Sequence, residues 1–169
     1  MKTEKQNHPE LEKVKDYIAG IKVAMITTMD EEGNHRSRPM QTLKMDADGC
    51  LWFFTDRHSP KLTEVHENPN VNLSYADNDD QTYVSISGTA EQVDDEMMKK
   101  DLWNPILKAW YPNGMEDPVL TILKVKVSQA DYWDGNTSKM IEAFRIAKAI
   151  VTGERHGYGE KGKIKVQSN

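Results

Sequence analysis

The chain has 169 residues, 37% hydrophobic and 29% charged, with a net charge of −5. That composition suits one ordinary globular domain with a real core and excludes a disordered or fibrous chain. The acidic balance argues against a nucleic-acid or anionic-membrane partner, and the single cysteine, Cys50, leaves no intrachain disulfide to form.

Residues 1–9 are polar and are expected to be flexible. From Pro9, the apolar residues Leu11, Val14 and Ile18 recur at helical spacing. KVAMITTM (22–29) is β-rich, DEEGN (30–34) is a turn cluster, HRSRPMQTLKM (35–45) alternates around a proline, and CLWFFT (50–55) is a strand. Three strands joined by short Asp/Gly turns predict an antiparallel meander. Ser59 followed by Pro60 predicts a helix start, with Leu62, Val65 and His66 on its buried side and NPN (68–70) ending it. VNLSYAD (71–77) and TYVSISGTAEQV (82–93) predict a hairpin whose second strand alternates Val84 and Ile86 with Ser85 and Ser87. Short helices are expected after Asp94 and after Asn104-Pro105. YPNGMEDP (111–118) reads as a loop, VLTILKVKV (119–127) and ADYWD (130–134) as strand, and 138–151 as a last helix. The domain is placed at 10–152, and 153–169 is expected to be a polar, flexible tail.

No apolar run is long enough to span a membrane, and no secretory signal is visible at the N-terminus, so a cytoplasmic location is expected. The scattered histidines and lone cysteine offer no zinc spacing, and no metal site is expected. There is no nucleophile elbow, P-loop or dinucleotide fingerprint. Any difficult chemistry would therefore belong to a cofactor.

The densest chemical signal is TDRHSPK (55–61). Thr55 and Ser59 carry hydroxyls, Arg57 and Lys61 carry charge, and all stand where a strand hands over to a helix N-terminus. Such a place suits an anion. From these residues alone a solvated, N-capped turn is the commoner reading. Arg36 and Arg38 share a strand face two residues apart, and one of them could approach the same anion. The aromatics of KAWYP (108–112) and DYWD (131–134) sit among proline, glycine and charge, which suits an interface or a stacked planar ligand.

Taken in order, R-P-M, F-F-T, the Ser/Lys turn, Y-V-S-I-S-G-T-A, K-A-W-Y-P, D-P and Y-W-D resemble the general stress protein branch of the pyridoxamine 5′-phosphate oxidase-like superfamily. The resemblance covers residues 10–150. It implies a mainly β (α+β) fold, a six-stranded antiparallel split β-barrel with short flanking helices. It also implies a homodimer with two sites for flavin mononucleotide (FMN) at the interface, with flavin adenine dinucleotide (FAD) as the larger alternative. Carried over by residue, Arg38, Pro39 and Met40 match the strand beside the flavin ring. Phe54 and Thr55 match the strand end beside ring and ribityl chain, and Ser59 and Lys61 match the phosphate turn. Trp133 matches a tryptophan that approaches the flavin from the partner subunit, and Trp110 and Tyr111 lie in an inserted loop over the site. The family's phosphate turn is S-R-K where this chain has S-P-K, so Arg57 or Arg38 would replace the missing cation. The Arg-His-rich end that holds pyridoxal phosphate in true oxidases has no counterpart here, which argues against that activity. The resemblance implies a flavin oxidoreductase passing electrons from a reduced nicotinamide to a small acceptor, or a non-catalytic flavin-buffering or flavin-sensing protein.

Overall fold

The computed structural model describes residues 9–135, 146, 148–153, 157 and 160–166. Helix α1 (Pro9–Ile18) packs Leu11, Val14 and Ile18 inward, as their spacing requires. Strands β1 (Val23–Met29) and β2 (His35–Gln41) form the first hairpin. Short β3 (Lys44–Met45) and β4 (Cys50–Asp56) follow, and then helix α2 (Pro60–Glu67). Strands β5 (Asn70–Asp77) and β6 (Thr82–Val93) make the second hairpin. An insertion follows, with helix α3 (Glu96–Leu102) and two 3-10 turns, Pro105–Ala109 and Gly114–Glu116. The two stretches of strand character after it form one long strand, β7 (Leu120–Asp134). Strand β8 (Glu160–Lys165) closes the order. Of the helix expected over 138–151, residues 148–152 are helical and 136–145 lie outside the described residues.

All strand pairings are antiparallel, in the order β2-β1-β5-β6-β7-β4-β3, with β8 beside β7. The sheet curls into the expected split barrel, with two strands beyond the six. β2 is an edge strand, which explains how it tolerates Pro39. A bulge at Ser128 of β7, opposite Ser87 and Gly88 of β6, lets β7 bend, so Leu120–Lys126 pairs with β4 and Gln129–Asp134 with β8. Gly88 is required there, because a Cβ would strike the Lys126 carbonyl oxygen.

The strand at Glu160–Lys165 corrects the expectation of a flexible tail. Ile164 is buried in the main core while Lys161, Lys163 and Lys165 point out, a clean period-two pattern. Gly162 fits because Tyr132 fills the space of a Cβ. Lys13 of α1 donates to the Tyr132 hydroxyl oxygen at 2.8 Å and to Glu160 at 2.9 Å, tying α1, β7 and β8 together.

Two apolar clusters divide the interior. The main one fills the barrel under α1 and α2. The second gathers Cys50, Trp52, Phe54, Leu102, Leu107 and Leu120 beneath the insertion. β4 lies between them, with Leu51 and Phe53 on the barrel side and Trp52 and Phe54 on the other. Burial on both faces is why its sequence is almost continuously apolar. Among the described residues no helix is long and apolar enough to cross a membrane.

Candidate functional site

The turn between β4 and α2 is built by short-range bonds. Asp56 accepts from the His58 N–H at 2.7 Å, and the Ser59 N–H donates to the Asp56 carbonyl at 3.0 Å. Ser59 takes the extended N-cap conformation and Pro60 sets the first turn of α2. The Ser59 side chain makes no capping bond. Its hydroxyl turns toward Thr55, 3.5 Å away. Thr55 is buried at the end of β4 and accepts a 2.7 Å hydrogen bond from Lys61 Nζ. Thr55, Ser59 and Lys61 therefore meet at the head of α2.

Arg38 reaches the same region from β2. Its guanidinium donates to the Thr28 hydroxyl at 2.6 Å and to Glu64 Oε2 at 2.9 Å. Thr28 also donates to Glu64 through a short hydrogen bond. Burial, and then repulsion from Arg38, push the Lys61 ammonium below its ordinary pKa, against the pull of Asp56 and Glu64. Burial pushes Glu64 up, but the Thr28 and Arg38 hydrogen bonds outweigh it and hold the carboxyl below its usual range. Glu64 is thus ionised at neutral pH. Two cations that repel each other beside two hydroxyls form an arrangement an added anion would relieve.

The remaining expected residues separate. Arg38 and Met40 lie opposite inward-facing Ile26 and Ala24 of β1, and Met40 is buried in the main core; Pro39 lies on the outer side opposite Met25. The three therefore do not share one face. Phe54 points away from Thr55, into the second cluster, 6.2 Å from Trp103 and 6.4 Å edge-on from Tyr111. Burial pushes the Tyr111 hydroxyl up to about 12, with Asp56 and Asp117 adding to it. Trp110 is 63% exposed on the insertion. Trp133 stands twelve residues beyond Thr121 on β7, and Thr121 is the residue opposite Thr55. At about 3.3 Å per residue that is at most about 40 Å along the strand, so Trp133 stands at the far end of β7 from Thr121.

Arg57 is held elsewhere. It bonds Asp94 at 2.8 Å and the Pro118 carbonyl at 3.2 Å, and its own N–H donates to the Val119 carbonyl at 2.8 Å. It fastens both ends of the insertion to the turn, and Arg38 is the arginine near Lys61. Arg36 is exposed, 3.7 Å from Asp30.

Sequence reasoning missed Thr28 and Glu64. On α2, Leu62 and Val65 are buried as expected, but His66 is exposed and Glu64 is the third buried residue. One signal was present: Thr28 continues the inward row of Ala24 and Ile26, where a hydroxyl calls for a buried partner.

Residues 9–157 match the family model described as pyridoxamine 5′-phosphate oxidase like. Protein bli-3 of Neurospora crassa is 28% identical over 148 residues, 82% of this chain and 71% of that protein. The crystal structure of the general stress FMN/FAD binding protein from Xanthomonas citri is similar at 28% identity and a TM-score of 0.66. The match covers 76% of this chain and 90% of that one. General stress protein 26 from Bacillus anthracis is similar at 29% identity and a TM-score of 0.64, over 72% of this chain and 92% of that one.

Proposed function

We propose a function from the premise that the chain belongs to the pyridoxamine 5′-phosphate oxidase-like family: it binds FMN by its phosphate at the head of α2 and works as a cytoplasmic flavin oxidoreductase of the general stress type. The observation that carries this reading is the meeting of Lys61, Arg38, Thr55 and Ser59. Their chemistry fits a phosphate monoester. Lys61 supplies a half-buried charge, Thr55 and Ser59 supply hydroxyls, and Arg38 adds a positive field from the side. Charge-assisted bonds of this kind contribute about 1.5–3 kcal/mol each.

The homodimer belongs to the same proposal. The outer face of β1 exposes Val23 (50%) and Met25 (41%), and Pro39 lies beside Met25 in register. In register with Val23 through β5 and β6, the same sheet carries Tyr83 and Trp133. A second copy seated on this face would cover those apolar groups, its Trp133 among them. Bound flavin would supply hydride and electron transfer between a reduced nicotinamide and a small acceptor. The chain's part is to hold the phosphate, to orient the ring and to exclude water.

The visible spectrum of the purified protein tests flavin binding. A flavin spectrum is expected, and a preparation that stays colourless after FMN is added and excess removed refutes it. A second reading, flavin binding without turnover, is favoured by one observation. Glu64, the buried carboxylate of this site, is committed to Arg38 and Thr28. Anaerobic mixing with NADH or NADPH separates the two readings: bleaching within seconds supports the oxidoreductase, and none over many minutes supports the binding protein.

A further inference from the structure

The charge of the anion site is smaller than its cations suggest. Arg38 and Lys61 bring two positive charges, but the Arg38 guanidinium lies 2.9 Å from the Glu64 carboxylate. Among these three groups one net positive charge remains. Asp56 stands at the rim, exposed, and its negative charge also acts on Lys61. Arg57, which could have restored a second cation, is bound to Asp94 at 2.8 Å. A terminal phosphate monoester carries about −1.5 to −2 at neutral pH. In FAD the same phosphorus keeps a single charge, because its second ionisable oxygen forms the pyrophosphate anhydride, and the second charge lies one phosphate further out.

Resting on the flavin-phosphate reading above, we propose that Glu64 is a specificity-determining residue. It spends the charge of Arg38 within the protein and leaves a site matched to one phosphate charge. The second charge of a monoester then gains nothing, because the cation that would meet it already faces a carboxylate. FAD, whose flavin-side phosphate brings one charge to the turn, therefore binds as well as the monoester. The route out of the site suits the longer ligand, since Asp56, His58 and Pro60 at its rim are all exposed. Thr28 strengthens the device. It donates to Glu64 and accepts from Arg38, which keeps the carboxylate ionised and in place.

Fluorescence titrations with riboflavin, FMN and FAD test this on the full chain and on Glu64→Gln. For the unaltered protein, FMN and FAD are expected to bind within about threefold of each other and both at least tenfold more tightly than riboflavin, a factor of ten being about 1.4 kcal/mol. In Glu64→Gln the released Arg38 charge should favour FMN over FAD by a further factor of about ten. A wild-type preference for FMN over FAD above threefold overturns the role of Glu64 while leaving the flavin-phosphate reading intact. A variant whose FMN-to-FAD ratio is unchanged overturns it too, because a residue that merely positions Arg38 would weaken both ligands together. Equal affinity for riboflavin, FMN and FAD overturns the phosphate site itself. Should Glu64→Gln fail to fold, the wild-type ratio still decides.

Discussion

Replacing Lys61 by Met should change ligand binding and ligand-free stability in opposite directions. The ammonium is half-buried, its listener is the Thr55 hydroxyl at 2.7 Å, and Arg38 repels it. With phosphate bound, the lost charge-assisted bond should cost about 1.5–3 kcal/mol, or roughly ten- to a hundredfold in FMN affinity. Without ligand, the same charge is a burden. Burial and Arg38 depress its pKa, so the folded state holds the proton less tightly than the unfolded chain does. That cost is fully present at neutral pH and is relieved only as pH rises through the depressed value. Methionine keeps the stem and drops the charge, so the ligand-free variant should gain about 0.5–2 kcal/mol, as substitutions that relieve strained functional sites commonly do. At this chain length each kcal/mol moves the melting temperature by about 2–4 °C. Fluorescence titration with FMN and calorimetry of the flavin-free protein measure the two arms. Affinity within twofold of wild type would show that the phosphate is held elsewhere. A lower melting temperature would show that the bond to Thr55 is structural and that the repulsion is too weak to matter.

Ile164→Ala removes the buried contact of β8 and should destabilise the protein by about 2–5 kcal/mol in a denaturant titration; a change under 0.5 kcal/mol would mean that β8 does not dock. The Glu64 carboxyl, held below its ordinary pKa of 4.5 with Arg38 and Thr28 as partners, contributes stability that is present above that value and is lost as pH falls through the lowered one. The difference in melting temperature between wild type and Glu64→Gln should therefore be largest near neutral pH and shrink below about pH 4, and a constant difference would contradict the ion pair. Met25→Glu places a charge on the exposed face of β1 and should convert the proposed dimer into a folded monomer in sedimentation; an unchanged dimer would place the interface on another face.

Much of the barrel was legible because its strands obey local rules. β6 alternates Val84 and Ile86 with serines, and β4 is an unbroken apolar run bounded by turns. Ser59-Pro60 marks the start of α2, and the cluster at Thr55, Ser59 and Lys61 comes together because the turn is short. β8 was not legible in the same way. Ile164, and Val166 just past its end, sit among lysines and glycines in a stretch with the composition of a loose tail. What makes it a strand is the second edge of the far half of β7, which pairs with β6 on its other side and lies beyond the reach of β4, and the face of Tyr132 under Gly162, both distant in sequence. The surroundings of Phe54 were hidden for a related reason. Alternation puts it on the opposite side of β4 from Thr55, and only the insertion packed there shows that this side is covered.

The error on α2 bears most directly on function. Helical periodicity asks for a buried residue four after Leu62, and His66 answers that count. The helix instead turns Glu64 inward, because Arg38 and Thr28 wait there on strands 26 and 36 residues away. Burying a carboxylate costs several kcal/mol unless it is paired and hydrogen-bonded. No spacing rule foresees that expense, since the compensation comes from other strands. The residue that breaks the local pattern is also the one that subtracts a charge from the proposed anion site. Where sequence rules fail on an otherwise regular helix, a functional constraint is the expected cause. Here the proposal gives it a definite form: a carboxylate beside the β4–α2 turn that holds Arg38 and so takes up the charge that arginine could have offered a ligand.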